Sequence, residues 1–469
     1  MPQQTPREGS SPLRLPRRVL VLGAATGLLA AAATAGVTAG PAAAGVLRVA
    51  TVAAEPTAWA VSSPGGSTTL VGIDVATDTV VSTITIPNSI GDNVGSTADA
   101  LAITPNGKRA YLAVQFADEV VPIDLGTGTL GKAIKVGCQP VSVAVTPNGS
   151  RAYILGYLNG SHARVVAINT SNGTAGKPVS VGPLESAGAG GIAVTPNGHT
   201  VWVSSSENGT VTPISVSSGK AGKPITVGAF PTSIAVTPNG RMLWVANSLD
   251  HDLVPVTLAT SKVGKKVRLG AAPIDLSITP GGSYALATRA SPANGADRVG
   301  LGGSHPVTRV RLTGLQVDSV AVDPAGKTAL FGGGSAGVIA TAAISTATET
   351  TPVTLGSGVT SVTAIAVTPD QAPTARFTVE VTGHTVSLNA SASSAWFGTI
   401  ARYSWAFGDG TSSTHGPTTT HRYSKKGTYT ITLVVTDSLG TSTSVVFTGR
   451  TVSRDGGPRA RKARTVHIS

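Results

Sequence analysis

Short runs of apolar, mostly β-branched residues alternate with turn residues along most of this 469-residue chain. The clearest unit has such runs at residues 191–195, 200–204, 210–216 and 223–227, separated by turns rich in Pro, Asn and Gly. Runs of this length between turn residues predict strands, and four in succession predict an antiparallel meander. The unit has no apolar stripe at helical spacing, which argues against a helical or leucine-rich solenoid.

The meander recurs along the chain. A phrase close to Ala-Val-Thr-Pro-Asn-Gly occurs seven times, with its prolines at Pro105, Pro147, Pro196, Pro238, Pro280, Pro324 and Pro369. Successive prolines are 42, 49, 42, 42, 44 and 45 residues apart, so the chain contains seven similar units. One four-stranded sheet cannot bury both of its faces, whereas radial stacking of neighbouring sheets covers them.

The two ends of the array are complementary. Residues 58–86 supply the pattern of a second, third and fourth strand, and residues 361–369 supply only a first strand. We therefore predict that the last strand joins the first three and closes a seven-bladed β-propeller over residues 45–371. Pro122, Pro213 and Pro255 fall inside predicted third strands, where a proline removes a ladder donor, so we expect a bulge there.

These repeats resemble the YVTN family of surface-layer-type β-propellers. The resemblance covers residues 50–369 and rests on segments such as Ile103-Thr104-Pro105-Asn106-Gly107-Lys108-Arg109-Ala110-Tyr111 and Leu243-Trp244-Val245-Ala246-Asn247. The sixth and seventh copies depart from the pattern, at residues 323–326 and 368–371. The resemblance implies a surface protein whose ligands bind at the mouth of the central channel.

Residues 372–453 follow another pattern, an alternation of period two that predicts a small β-sandwich with an aromatic core. The motif Tyr403-Ser404-Trp405-Ala406-Phe407-Gly408-Asp409-Gly410 resembles the PKD domain, an immunoglobulin-like sandwich. Relatives often carry Asp where this chain has Ala406, and an Asp-rich turn, which binds calcium in some, where it has residues 396–398. The resemblance implies a spacer, or a contact for protein or carbohydrate. We expect Trp405 in the core and Asp409 in a turn.

The ends of the chain carry much of its net charge of +12. Arg17 and Arg18 precede an uncharged apolar stretch, so residues 1–44 are interpreted as a signal peptide cleaved after Ala44. Sec and twin-arginine export both stay open, as does an uncleaved anchor. Residues 454–469 hold four Arg, one Lys and one Asp, and are predicted to be a disordered basic tail. Cys138, the only cysteine, is expected to be a small buried residue.

A search for chemistry yields no catalytic constellation. The histidines are scattered without metal-ligand spacing, and no cofactor or metal is expected. Asp250-His251-Asp252 is either half of a metal site or a polar turn, and we favour the turn. Loops longer than the repeat norm are candidates for ligand binding at the channel mouth. The candidate residues are Asp92, Asn93, Asp99, Glu185, Asp250, His251 and Asp252.

The sequence thus favours an exported, non-catalytic protein of the cell surface or extracellular space. Its expected partners are a cell-wall polymer, a polysaccharide or a surface protein, and not nucleic acid, because basic and aromatic residues are not interleaved. We expect a monomer with no integral membrane segment after signal cleavage. The alternative is a lactonase-like hydrolase or a lyase with its site at the channel mouth.

Overall fold

The computed structural model describes residues 57–62, 68–87, 100–158, 162–183, 190–334, 337–356, 359 and 361–469. The predicted signal peptide lies outside these ranges. The described residues form forty strands and two 3₁₀ helices, Gln115–Ala117 and Pro458–Ala460, but no α-helix. None of these segments is a helix able to cross a bilayer.

Thirty strands belong to the repeat region, and most are about as short as the spacing of the turn residues predicts. In chain order they are β1 Ala58–Ser62, β2 Thr68–Asp74, β3 Thr79–Ile86, β4 Leu101–Ile103, β5 Arg109–Val114, β6 Glu119–Asp124, β7 Ile134–Lys135, β8 Gln139–Val145, β9 Arg151–Leu158, β10 His162–Asn169, β11 Thr174–Ala175, β12 Val179–Pro183, β13 Ile192–Val194, β14 Thr200–Ser205, β15 Thr210–Ser215, β16 Ile225–Thr226, β17 Pro231–Val236, β18 Met242–Asn247, β19 Asp252–Thr257, β20 Lys262–Val263, β21 Val267–Arg268, β22 Pro273–Ile278, β23 Tyr284–Arg289, β24 Ala296–Gly300, β25 Val307–Val310, β26 Ser319–Val322, β27 Thr328–Gly332, β28 Val338–Ala343, β29 Thr348–Thr354 and β30 Ala364–Val367.

These thirty strands form seven antiparallel sheets among the described residues. Six sheets are consecutive meanders that start at β4, β8, β13, β17, β22 and β26, and the seventh has the order β3-β2-β1-β30. The innermost strands β4, β8, β13, β17, β22, β26 and β30 each contact the next in cyclic order, and β30 contacts β4. The sheets therefore surround a central channel, as in a β-propeller.

The seventh sheet joins the two ends of the array. β1 and β30 pair antiparallel, with Trp59 opposite Ala366 and Ala58 opposite Val367. The predicted pairing of the last repeat strand with the first three is confirmed. Large side chains such as Trp59 and Trp244 are fully buried, because each sheet covers the face of its neighbour.

The bulge expected at the third-strand prolines is confirmed, and it lies in their pairing with the fourth strand. Pro122 lies opposite Tyr111 with no register shift between β5 and β6, and the other two prolines are paired equally regularly. On the other side, Val120 lies opposite Ile134 and Ile123 opposite Leu130, so the fourth strand has one residue more than the third at Pro122. The backbone N–H of Gly131 donates to the Pro122 carbonyl at 2.7 Å. Since the proline has no N–H to offer that strand, the regular ladder is interrupted at the proline and resumes beyond it with the register shifted by one residue.

The remaining ten strands form the C-terminal module. They are β31 Asp370–Gln371, β32 Thr378–Thr382, β33 Thr385–Asn389, β34 Ile400–Ala406, β35 Ser412–Ser413, β36 Thr418–Arg422, β37 Gly427–Asp437, β38 Val445–Phe447, β39 Val452–Asp455 and β40 Arg461–Ile468. Sheets β32-β33-β36 and β35-β34-β37-β40 make the sandwich, and β31-β39-β38 is a third, small sheet. Trp405, Tyr423 and Leu433 lie in the core between the two larger sheets, as the aromatic alternation predicts.

The prediction of a disordered basic tail over residues 454–469 is wrong. β40 pairs antiparallel with β37 along eight residues, from Arg461 opposite Val434 to Ile468 opposite Gly427. Val466 and Ile468 are buried, while the charged residues of the strand are exposed. The basic side chains lie on the solvent side of an edge strand, where charge discourages pairing with other chains. The sandwich therefore extends to Ile468.

Candidate functional site

The predicted channel-mouth residues fall into two groups. Asp92, Asn93, Asp99 and Glu185 lie outside the described residues. Asp250, His251 and Asp252 lie at the turn between β18 and β19, with Asp252 as the first residue of β19. The three residues are therefore brought together by the turn, and their role in ligand binding stays a prediction.

Asp250 fastens this turn to its neighbours. Its Oδ2 accepts hydrogen bonds from Lys266 Nζ at 2.6 Å and from the backbone N–H of Ala229 at 3.1 Å. The hydrogen bond from Lys266 is the main reason that the pKa of Asp250 is lowered. Arg268 donates to the Asp250 carbonyl at 2.7 Å. The carboxylate thus ties the β18–β19 turn to the fourth strand of its own sheet and to the connection that precedes β17.

Asp252 lies in a recurring strand register that places an acidic residue of a third strand opposite a basic residue of the fourth, and its own ion pair is with Lys266 at 3.5 Å. It is fully buried, accepts a hydrogen bond from Asn247 Nδ2 at 3.0 Å, and lies opposite Arg268. Two other sheets pair third and fourth strands in the same way, with Glu119 opposite Lys135 and Asp297 opposite Arg309. This recurrence favours a structural role for Asp252. In the described part of the chain, no group of three His, Cys, Asp or Glu side chains is placed to hold a metal ion.

One end of the central channel is occupied by the chain itself. Residues 448–451 lie between β38 and β39 of the C-terminal module. They form hydrogen bonds with four successive inner strands. The carbonyls of residues 448, 449 and 450 accept from Val236 (3.3 Å), Val194 (2.7 Å) and Val145 (2.9 Å). The N–H of Ile103 donates to the Thr451 hydroxyl at 3.3 Å. We call residues 448–451 the plug.

The plug accepts hydrogen bonds from backbone N–H groups that have no partner within the ring of sheets. The channel-facing edge of an inner strand has no neighbouring strand, so its N–H groups need another partner. Gly449 is required at this point because its φ is +124° and a Cβ would lie 3.1 Å from Ala193 Cβ. The four bonded residues end their strands beside the Thr-Pro-Asn-Gly turns. The plug therefore enters from the face that carries these turns.

An ion pair fixes the plug to the channel wall. Arg450 Nη2 lies 2.7 Å from Asp275 Oδ1 and 2.7 Å from the Leu276 carbonyl. Asp275 is buried and also accepts from Ser233 Oγ at 3.0 Å and from the Val320 N–H at 2.8 Å. These bonds join inner strands β17, β22 and β26 to the plug. A buried carboxylate needs such partners, because an unpaired charge in an apolar interior is costly.

The Arg450–Asp275 pair was not predicted from the sequence, although Asp275 departs from the repeat. It lies five residues before Pro280. The corresponding residues of the other copies are small and uncharged: Ala100, Ser142, Gly191, Ser233, Ser319 and Ala364. A single carboxylate among such residues, inside an apolar strand, indicates a buried basic partner. The sequence around Arg450 does not identify this arginine as the partner.

Further contacts join the C-terminal module to the turn-bearing face. Arg454 Nε donates to the Pro324 carbonyl at 2.6 Å, and Gln371 Nε2 donates to the Pro105 carbonyl at 2.8 Å. Beside the plug, a cavity of about 70 Å³ remains between it and the inner strands β22, β26 and β30. This cavity can hold a few water molecules at most. At this depth the channel has no room for a substrate.

The expectations for single residues of the C-terminal module are confirmed. Trp405 is buried in the core, with Phe377 edge-on at 5.2 Å between ring centroids. Asp409 Oδ1 accepts from the Thr411 N–H at 3.0 Å, as in a turn. Although burial acts to raise it, hydrogen bonds from Thr411 and His421 hold the pKa of Asp409 at about 2.

In the repeat region, Cys138 is buried, as expected. Burial raises the pKa of its thiol to about 12, so it stays protonated and unreactive.

The deciding observation for the C-terminal module is a family match. Residues 370–452 match the model described as "PKD domain". This part of the chain is a PKD domain. The β38–β39 connection that carries the plug lies within the matched residues. No curated protein matches the chain.

Solved structures resemble the chain in fold. A functionally unknown protein from Desulfotomaculum acetoxidans is 17% identical with a TM-score of 0.54, covering 66% of this chain and 98% of that one. A Bacteroides uniformis protein, provisionally named a 6-phosphogluconolactonase, is 15% identical with a TM-score of 0.53, covering 67% and 99%. Virginiamycin B lyase from Staphylococcus aureus is 14% identical with a TM-score of 0.44, covering 59% and 92%. At these identities the likeness concerns the fold alone.

Proposed function

We propose that this chain is an exported, non-catalytic protein of the cell surface, with the propeller as a rigid binding platform and the PKD domain locked onto it. The observation that carries the proposal is the plug. An enzyme on this fold would be expected to place its site at the channel. Here residues 448–451 occupy the channel, and Arg450 pairs with the carboxylate that its wall offers.

The same contacts argue for one rigid body instead of two modules on a linker. Modules joined only by a linker move relative to each other unless their interface is large. In this chain the plug forms hydrogen bonds with four inner strands, and Arg454 and Gln371 form hydrogen bonds with two further turns. We infer that the PKD domain acts as a fixed second surface beside the propeller.

Export and a surface location are supported by the sequence. Residues 1–44 have the order of a signal peptide, with basic residues, an apolar stretch and small residues at a cleavage position. We place the propeller repeats in the YVTN surface-layer type on the resemblance of their Thr-Pro-Asn-Gly segments. A cell-wall polymer, polysaccharide or surface protein is the partner class that fits this setting.

An enzyme of the lactonase or lyase class is the alternative, because proteins bearing those names share the fold. Such an enzyme would need acidic and histidine side chains to converge at the open face of the channel, opposite the plug. Asp250 and Asp252 lie in a turn between a second and a third strand, where they bind Lys266 and Asn247. Alanine variants of both carboxylates separate the two proposals. Loss of a lactonase or lyase turnover in them would favour the alternative.

The direct test is binding of the mature chain, residues 45–469, to cells and isolated walls. We expect it to sediment with them at low and at moderate salt, since a platform of mixed charge does not depend on charge alone. A secreted reporter fused to residues 1–44 tests export independently. Mature protein that stays in the supernatant at both salt concentrations would contradict the surface-binding proposal.

A further inference from the structure

One tryptophan of this chain faces solvent. Trp59, Trp202, Trp244 and Trp405 are buried, whereas Trp396 is 56% exposed. It lies with Phe397 in the connection between β33 and β34 of the PKD domain. Together they line a cleft of about 230 Å³ whose other wall is the propeller, including residues 106–108 and 124–126. We call this space the junction cleft.

The connection that carries Trp396 is held at both ends. On one side, Ser394 and Thr374 exchange backbone hydrogen bonds of 2.7 and 3.1 Å. On the other, the Ser438 N–H donates to the Thr399 carbonyl at 2.8 Å, and Ser438 Oγ accepts from the Thr399 N–H at 3.2 Å. Only residues 395–398 lie between these anchors. The indole is thus displayed on a short, braced segment, which lowers the entropy lost on binding a ligand.

The opposite wall of the junction cleft is braced as well. Gln371 is buried, and its amide donates to the carbonyls of Pro105 and Pro369 at 2.8 and 3.0 Å. Asp124 accepts hydrogen bonds from the backbone of residues 126 and 127 through Oδ1, which fixes the orientation of its carboxylate. These bonds lower the pKa of Asp124, so it is ionised at neutral pH.

The chemistry of the junction cleft fits a sugar ring. The C–H face of a pyranose packs against the electron-rich face of an indole. Its hydroxyls need both donors and acceptors, and Asn106, Lys108 and Asp124 supply these side by side. A purely apolar partner would leave these polar groups without bonds, at a cost in free energy.

Two further hollows extend the junction cleft along the propeller. The first, of about 420 Å³, shares Asn106, Lys108 and Asp124 with it. The second, of about 1210 Å³, shares Arg109, Asp124 and Thr170 with the first. The lining side chains include four basic ones (Lys108, Arg109, Lys132 and Lys135) and three acidic ones (Glu119, Asp124 and Asp455). Such a near-neutral track suits a chain of many sugars better than a strongly charged polymer.

We propose that the junction cleft and the two hollows bind a polysaccharide chain, with one sugar ring stacked on Trp396. This rests on the proposed function and specifies its partner class. The site is composite, since the propeller supplies the polar track and the PKD domain supplies the aromatic ring. The rigid junction made by the plug keeps the two parts in register.

The test is affinity electrophoresis of the mature chain through gels containing soluble pyranose polymers. The probes are hydroxyethyl cellulose (neutral), glycol chitin (N-acetylated) and hyaluronan (carboxylated). We expect at least one of the first two to retard the wild type more than hyaluronan does, Trp396→Ala to weaken that retardation at least tenfold, and Trp396→Phe to retain most of it. Leu249→Ala is the matched control, because Leu249 is 70% exposed and lies outside the junction cleft.

Each contrary outcome is distinct. If neither hydroxyethyl cellulose nor glycol chitin retards the wild type, or if Trp396→Ala moves like the wild type, the polysaccharide site is refuted. If the wild type binds walls and Trp396→Ala binds them equally, this inference fails while the proposed function stands. If protease treatment of the walls abolishes binding, the partner is a protein and the inference fails. If polymers retard the protein but it does not bind walls or cells, only the surface location fails.

Discussion

Arg450 and Asp275 are 175 residues apart in sequence, yet Nη2 of one lies 2.7 Å from Oδ1 of the other inside the propeller channel. Both side chains are largely buried, with 17% and 1% exposed. The arginine comes from the PKD domain and the aspartate from the inner strand β22. This pair makes the channel of the propeller part of the interface between the two domains.

Removing the arginine should destabilise the whole chain. Arg450→Met leaves the Asp275 carboxylate buried beside apolar groups, and loss of one partner of a buried pair costs about 3 kcal/mol. The double variant Arg450→Met/Asp275→Ser should recover much of this loss, because serine is the residue of other repeats. Urea unfolding measures both. Arg402→Met, at an exposed position, is the control and should change stability by less than about 0.5 kcal/mol.

The contact between Pro122 and Gly131 should require glycine at position 131. A Cβ on Gly131 would lie 2.9 Å from Pro122 Cγ, so Gly131→Ala should cost about 1–3 kcal/mol through overpacking. Gly126→Ala is the matched control, since a Cβ there would lie 3.6 Å from Asp124 Oδ1, an ordinary contact. Adding Pro122→Val to Gly131→Ala should restore stability in thermal unfolding. Equal effects of the two glycine variants would show that the proline ring does not select glycine.

Deleting residues 461–469 should unfold the PKD sandwich. The deletion removes β40, exposes the edge of β37 and takes Val466 and Ile468 from the core. We expect rapid proteolysis within residues 372–460 and a lower melting temperature. A point variant on the exposed face of the strand, Lys462→Gln, is the control and should resist proteolysis like the wild type. A truncated chain as resistant as the full one would mean that this segment is an unpaired tail.

Stability should fall as the pH rises from about 4 to about 7. Burial, with nearby Asp437 adding to it, raises the pKa of Asp370 to about 7. The folded chain therefore holds a proton that the unfolded chain, with an ordinary carboxyl pKa near 3.9, has already lost. This contribution is complete below about pH 4 and disappears as the pH passes the folded value. The melting temperature should thus be higher at pH 5 than at pH 8, and Asp370→Asn should flatten the difference. An unchanged pH profile in that variant would assign the dependence to other groups.

The ring could be predicted from sequence because the residues that specify each strand and turn are adjacent along the chain. The Thr-Pro-Asn-Gly turns mark the end of each inner strand, and residues 58–86 and 361–369 are visibly incomplete alone. The pairing of β1 with β30 follows from that complementarity. The third-strand prolines predict a bulge for the same local reason, and its extra residue falls on the partner strand, where Gly131, Gly222 and Gly264 each follow a proline by nine residues.

The plug could not be predicted in the same way. Residues 448–451 make their bonds with strands that lie hundreds of residues earlier, and no periodic pattern links the two. Asp275 alone signals a missing partner. The many basic residues of β40 led to the prediction of a disordered tail. Val466 and Ile468 are nevertheless spaced two residues apart, as buried residues of a strand are. Charge is compatible with a strand whenever it lies on the exposed face.

Hydrogen exchange at the channel-facing amides tests the central claim most directly. Val145, Val194 and Val236 donate to the plug, and their N–H groups would otherwise face water in an open channel. In the intact chain we predict that they exchange as slowly as the mid-strand amide of Val121. Replacing residues 448–451 with Gly and Ser removes the Arg450 anchor and the Thr451 hydroxyl, and should speed exchange at these three amides and at Ile103 but not at Val121. Fast exchange at all three in the intact chain would contradict a channel closed by its own PKD domain.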